Sequence, residues 1–246
     1  MNDIGIGILD FYKQKDLNDL VDSIPKNLLD NCFIVSTTNN KTTLPTYRNK
    51  NETPIGFLRN KILSHFRRLD KKNIFLIESN VYFTDPDYLY KVIQTAEVFG
   101  TWILTAPEKN SIILEDEEHN VKLHLTPHLN TSFLFLYSGV ISNIGYFNEQ
   151  FLASKGIEVL DFINRCRKKK IYPPLNFNST VKEGISMKNM DNPFQVADES
   201  KKNALSLGLF QHLHKYVPGH SDPQSVSQEI LLKEMEEIQN NFAKKI

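Results

Sequence analysis

The sequence predicts a mixed α/β fold with a mostly parallel central sheet flanked by helices. Three observations carry this. The chain opens strand, helix, strand at residues 4–9, 16–24 and 32–36, an order that implies a right-handed parallel unit. A later apolar strand, Ile74 to Ile77, stops abruptly in Glu78, Ser79 and Asn80 and leads into a helix through Leu89, Val92 and Ile93. At 246 residues the chain is long enough for one large α/β domain. In a parallel sheet ligands sit at the carboxyl ends of the strands, so Glu78, Ser79 and Asn80 are placed to meet a ligand or a metal.

Each element has its own signal. IGIGIL at 4–9 suits a buried strand, and its two glycines let another backbone or a ligand approach closely. Leu17, Leu20, Val21 and Ile24 share a helical face, with Asp16 as the expected N-cap and Pro25 just past the end. CFIVS at 32–36 is a second buried strand, followed by the turn TTNNKTT and a loop to about residue 53. Residues 54–69 read as a helix whose stripe is Phe57, Leu58, Ile62, Leu63, Phe66 and Leu69. Arg59, Asn60 and Lys61 fall in its first turns, where a helix N-terminus and cations together favour an anion.

After the central strand, Thr84 or Asp85 can cap the next helix, Pro86 suits its first turn, and Gly100 marks its end. Strands are expected at 101–106 and 131–137, with a turn in the acidic stretch EDEEHN and a hairpin strand at 121–125. A helix at about 156–169 closes on a basic cluster, Arg165 and residues 167–170, which complements the helix dipole. IYPPLNF at 171–177 reads as an edge strand because of its prolines. Residues 178–210 have little periodicity and read as a loop-rich segment able to act as a lid. His212 and His214 alternate, so a strand would set both on one side, compatible with metal ligation or phosphate contact. The last stretch is an amphipathic helix whose apolar side, Val226, Ile230, Met235, Ile238 and Phe242, is suited to dock on the domain or on a second subunit in a homo-oligomer.

Composition bounds the function. The chain is 40% hydrophobic and 24% charged, ordinary for a globular protein. Lys plus Arg and Asp plus Glu balance at 29 each, so no global field draws it to nucleic acid or an anionic membrane. Cys32 and Cys166 show no metal or redox spacing, which fits a reducing, cytoplasmic setting. No basic–apolar leader and no apolar run of ~18 residues is present, so neither a signal peptide nor a membrane span is expected.

Taken together, the segments resemble the GT-A (Rossmann-like) glycosyltransferases, especially the large inverting family whose members begin with a nucleotide-binding half. GFLRNKILSHF is similar to the family's "ARN" helix, at Arg59, Asn60 and Lys61. IFLIESNVYFTDPDYL looks like the strand carrying the DxD motif. SNIGYFNEQF is similar to the acceptor-side "GgFDE.F" motif at Gly145, Phe147, Asn148, Glu149 and Phe151, and GIEVLDFINRCRKKKI to the "G.ED.D...R" helix at Gly156, Glu158, Asp161 and Arg165. The order and spacing of these motifs carry the likeness. Two positions depart from it: DxD reads Glu78–Ser79–Asn80, and ED reads Glu158–Val159. The first holds a hard cation less strongly than two carboxylates would.

The resemblance implies a single GT-A domain over residues 1–220, with a nucleotide-binding half at 1–100, an acceptor half at 101–220 and the helix at 221–246. It implies sugar transfer from a nucleotide-sugar donor to a hydroxyl of a glycan, protein or other compound, with inversion. The donor would be held by Asp10, Tyr12, Arg59, Asn60, Lys61, Glu78, Ser79 and Asn80. A divalent metal, Mn²⁺ or Mg²⁺, would sit on Glu78 and Asn80 with His212 or His214. Glu158 would be the base that deprotonates the acceptor, with Asp161 second. Two alternatives stay open: an inactive GT-A-like binding or structural module, which the eroded motifs suggest, and a nucleotidyltransferase, which would share the first half.

Overall fold

The computed structural model describes residues 3–49, 53–106, 112–126, 130–151, 156–171 and 178–188, and four helical positions at 233, 236, 237 and 240. Buried parallel strands need continuous apolar runs, and the chain supplies them in β1 (Ile4–Asp10), β2 (Cys32–Ser36) and β4 (Asn73–Glu78). With β3 (Thr46–Arg48), β6 (Ile103–Thr105) and β9 (Phe133–Tyr137) they form a six-stranded sheet in the order β3-β2-β1-β4-β9-β6. β3, β2, β1 and β4 run parallel, and β9 alone is reversed against both its neighbours, β4 and β6.

Helices cover both faces. On one lie α1 (Gln14–Ser23) and α3 (Tyr88–Phe99), whose Leu17, Leu20, Leu89 and Val92 meet Ile6, Ile8, Phe75 and Ile77. On the other lie α2 (Ile55–Arg68) and α5 (Ile157–Lys168), where Leu58, Ile62, Phe66, Val159 and Phe162 meet Ile74 and Leu76. The glycines of β1 have a packing use. A Cβ on Gly5 would lie 2.7 Å from the Phe66 ring, and one on Gly7 2.1 Å from Ile62 Cγ2. The close approach they allow is therefore that of α2 rather than of a ligand.

Smaller sheets flank the main one. β7 (Ile112–Asp116) and β8 (Val121–Thr126) form the hairpin expected around EDEEHN, and β10 (Asn178–Thr180) joins β8. β5 (Val81–Phe83) pairs with β11 (Ile185–Met187). Part of the segment expected to be a loop-rich lid is thus built into sheets, because β8 and β5 offer edges to pair with. The rest of it, the expected edge strand at 172–177, His212 and His214 lie outside the described residues.

Helix starts differ from expectation. Asp16 is not the cap of α1: it sits one turn inside and accepts the Lys13 backbone N–H at 3.2 Å. α3 begins at Tyr88 after Asp87, so Pro86 lies in the preceding turn, where Asp85 accepts the Asp87 N–H at 2.9 Å. α3 ends as predicted on Gly100, in a left-handed conformation at φ 62°. α4 (Ser138–Ile144) takes up the start of the SNIGYF segment. Near the C-terminus, Lys233, Glu236, Glu237 and Asn240 are helical and exposed, the spacing of one polar helix face.

Candidate functional site at the carboxyl edge of the sheet

Register brings the site together. β1 pairs with β4 so that Leu9 faces Glu78, and with β2 so that Asp10 faces Ser36. β9 starts beside the end of β4, Phe133 against Ile77, which sets Ser132 next to Glu78. The strands on either side of the β1–β4 seam are reached by connections running in opposite directions. This is the switch point of a parallel sheet, where the ends of adjacent strands leave a crevice.

On the β1–β2 side the polar groups close on one carboxylate. Asp10 is fully buried and accepts from Ser36 Oγ at 2.7 Å, Thr38 Oγ1 at 2.6 Å and Asn40 Nδ2 at 2.9 Å, with Ser79 Oγ at 3.4 Å. Asn40 also donates to the Tyr12 carbonyl at 2.9 Å. Asp10 and Ser79, both expected to touch a donor, are here hydrogen-bonded to each other, and Asp10 also holds the loop after β2. Thr38 and Asn40 belong to the polar turn TTNNKTT after CFIVS, which the sequence marks as a segment without distinguishing these two residues.

On the β4–β9 side a guanidinium stands between two carboxylates. Arg59 Nη2 lies 3.5 Å from Glu78 Oε1, and Arg59 Nε lies 3.3 Å from Glu158 Oε1. Arg59 also donates to the Thr131 carbonyl at 3.2 Å and sits 5.9 Å over the Phe147 ring. Arg59 and Glu158 are each 0% exposed, and Glu78 is 8% exposed. The second oxygen of Glu78 accepts from Ser132 Oγ at 3.2 Å and Tyr12 OH at 3.3 Å. Burial, reinforced by the Glu78 carboxylate, raises the Tyr12 phenol above its ordinary value. Burial raises the Glu158 carboxyl as well, although Arg59 pulls the other way. Three atoms of this edge are buried without a hydrogen-bond partner: Arg59 Nη1, Glu158 Oε2 and Asn80 Oδ1. Such atoms are rare in native interiors and mark places where a ligand or water belongs.

The other expected residues are elsewhere. Asn60 clamps the acceptor-side loop, donating to the Phe147 carbonyl at 2.9 Å and Glu149 Oε1 at 2.8 Å while accepting the Phe147 N–H at 2.9 Å. Lys61 is exposed, its ammonium 4.7 Å over the Phe57 ring and 5.7 Å over the Tyr47 ring. Asp161 pairs with Arg165 at 2.9 Å, and Arg165 in turn donates to the carbonyls of Ile144 and Tyr146. Sequence reasoning also passed over Lys188. Its N–H donates to the Asn80 carbonyl at 3.0 Å, and its ammonium bridges Asp16 at 2.8 Å and Asp19 at 2.5 Å. It ties β11 down beside the edge.

The described residues do not fit a divalent cation. Hard cations take oxygen-rich shells, with one or two carboxylates available to them. Glu78 is the sole carboxylate of its three-residue stop, and both its oxygens already have partners. Asn80 offers one neutral oxygen. Among the described residues no group of three His, Cys, Asp or Glu could hold a metal.

No family model and no curated protein matches the sequence. Solved structures match its shape. S. aureus TarS 1–349 aligns at a TM-score of 0.54 and 13% identity, over 98% of this chain and 70% of that one. The same TarS fragment in complex with UDP-GlcNAc aligns at 0.51 and 14% identity, over 98% and 71%. GalNAc-T7 with UDP, GalNAc and Mn²⁺ aligns at 0.60 and 9% identity, over 96% of this chain and 54% of that one. The chain has the GT-A fold of these glycosyltransferases. At such identities the likeness is one of fold, and this chain spans about half the length of GalNAc-T7. No described helix is long and apolar enough to cross a membrane.

Proposed function

We propose that the protein is a nucleotide-sugar glycosyltransferase that moves a sugar to an acceptor hydroxyl with inversion. One observation carries this. The buried, unpartnered atoms of Arg59, Asn80 and Glu158 gather at the switch-point edge of a GT-A fold, beside the crevice where such sheets take their ligands. In the reaction the acceptor oxygen bonds to the anomeric carbon, the bond to the donor diphosphate breaks, and the nucleoside diphosphate leaves. The hydroxyl proton goes to a carboxylate. Glu158 is the candidate, since burial raises its proton affinity toward the range a base needs. Asp161 is second, because Arg165 already neutralises it. The acceptor is a glycan, a protein or another hydroxyl compound. A cytoplasmic setting belongs to this reading and accords with the two free, buried cysteines, Cys32 and Cys166.

A second reading, an inactive GT-A-like binding module, is favoured by the enclosure of Glu158 beneath Arg59. Incubation with UDP-, GDP- and CDP-sugars and a panel of hydroxyl acceptors separates the two. Release of nucleoside diphosphate together with a glycosylated product, both followed by mass spectrometry, is the expected result. Nucleotide binding with no release under any pairing would leave the binding module.

A further inference from the structure

We infer that the Arg59 guanidinium holds the cationic position at Glu78, so that the chain binds its nucleotide without a divalent metal. This rests on the reading of the edge as a nucleotide site. Glu78 Oε1 faces Arg59 at 3.5 Å, and Oε2 takes the hydroxyls of Ser132 and Tyr12 at 3.2 and 3.3 Å. A metal would have to take these lone pairs from partners already in place. It would also bond Oε1 at about 2.0–2.6 Å while a guanidinium contacts the same oxygen.

Arg59 cannot swing aside at small cost. Glu158 lies 3.3 Å from its Nε, the Thr131 carbonyl 3.2 Å from its Nη2, and Phe147 covers its face. Its position is further fixed by α2, whose Leu58 and Ile62 are fully buried on either side of it. Position 80 contributes an amide oxygen and no charge. The charge that would attract a dication is thus answered within the protein, and among the described residues the donor set left over at this edge is a single neutral oxygen.

The test uses the full chain, stripped with EDTA, in two measurements. Mn²⁺ is titrated into the protein, alone and with UDP, and the electron paramagnetic signal of free Mn²⁺ is followed. UDP is titrated calorimetrically in EDTA and in Mn²⁺. The expected result is no Mn²⁺ uptake beyond what UDP alone chelates, and a UDP affinity that differs by less than about threefold between the two buffers. Stoichiometric Mn²⁺ uptake, or a larger loss of affinity in EDTA, would overturn the inference. If UDP, GDP and CDP, each titrated in the same way, bind in neither buffer, the nucleotide reading falls, and the Mn²⁺ titration of the protein alone still decides whether this edge takes a metal.

Discussion

Two polar groups lie side by side at the carboxyl edge of the sheet, and they are completed to different degrees. Around Asp10, both carboxylate oxygens have partners and the loop to Asn40 is bound in place. Around Arg59, two carboxylates share one cation at longer distances, and Arg59 Nη1, Glu158 Oε2 and Asn80 Oδ1 are left over. A saturated buried network stabilises and specifies local structure, whereas an incomplete one is costly unless something else completes it. The first group therefore fixes local structure and the second is the one at which we propose that a ligand binds, though Asp10 and Glu78 end neighbouring strands.

Substitutions can break that contrast. The largest expected effect is at Arg59. Arg59→Met leaves Glu158 buried without its cation and should destabilise the fold by about 3–5 kcal/mol in urea unfolding; a loss below about 1 kcal/mol would mean that the carboxylates are not held in the charged state. Next comes Asp10→Ala, which strands the hydroxyls of Ser36 and Thr38 and the amide of Asn40. A cost of about 2–3 kcal/mol is expected by the same measurement, with faster hydrogen exchange across residues 37–41.

A pH profile sharpens the comparison further. Burial holds the Glu158 proton above the ordinary carboxylate value of about 4.3. The folded state thus binds this proton more tightly than the unfolded chain. The resulting stability is complete below the unfolded value and is lost as pH rises through the raised, folded one. Glu158→Gln removes the titration, so wild type should lose stability relative to the variant as pH is raised from about 4. A difference that does not change with pH would remove Glu158 from the role of a high-affinity proton acceptor. The smallest effect is expected at Lys61, which is exposed: Lys61→Ala should change stability by less than about 0.5 kcal/mol and leave nucleotide binding unaltered. A large loss of binding would return Lys61 to the donor site.

Much of this architecture is legible in the sequence, for identifiable reasons. β1, β2 and β4 are buried on both faces and read as unbroken apolar runs. The stop at Glu78 is equally plain, since an apolar strand that turns polar within one residue has reached its edge. The strands that escape notice are short, three residues each. Thr46–Arg48 lies within an Asn- and Thr-rich loop, and Ile185–Met187 exists because the β5 edge is free to pair with it.

At the site, Arg59, Asn60 and Lys61 are adjacent in sequence, but helix neighbours point about 100° apart. They could not all face one anion: Arg59 turns to the carboxylates, Asn60 to the 147–149 loop and Lys61 outward. Asp161 shares a helix face with Glu158, yet Arg165 stands one turn further on and captures it. Lys188 is separated from Asp16 by most of the chain, a contact that no local pattern encodes.

The most direct measurement is a thermal-shift panel of UDP, GDP, CDP and their sugars on the wild-type chain and on Asn80→Leu, which removes an unpartnered oxygen from the edge. A ligand that binds the folded state raises its melting temperature by mass action. One nucleotide series should raise it in the wild type, and the rise should be reduced in the variant. A well-folded chain whose melting temperature responds to no nucleotide, or responds equally with Leu at position 80, would contradict the assignment of this edge as the donor site.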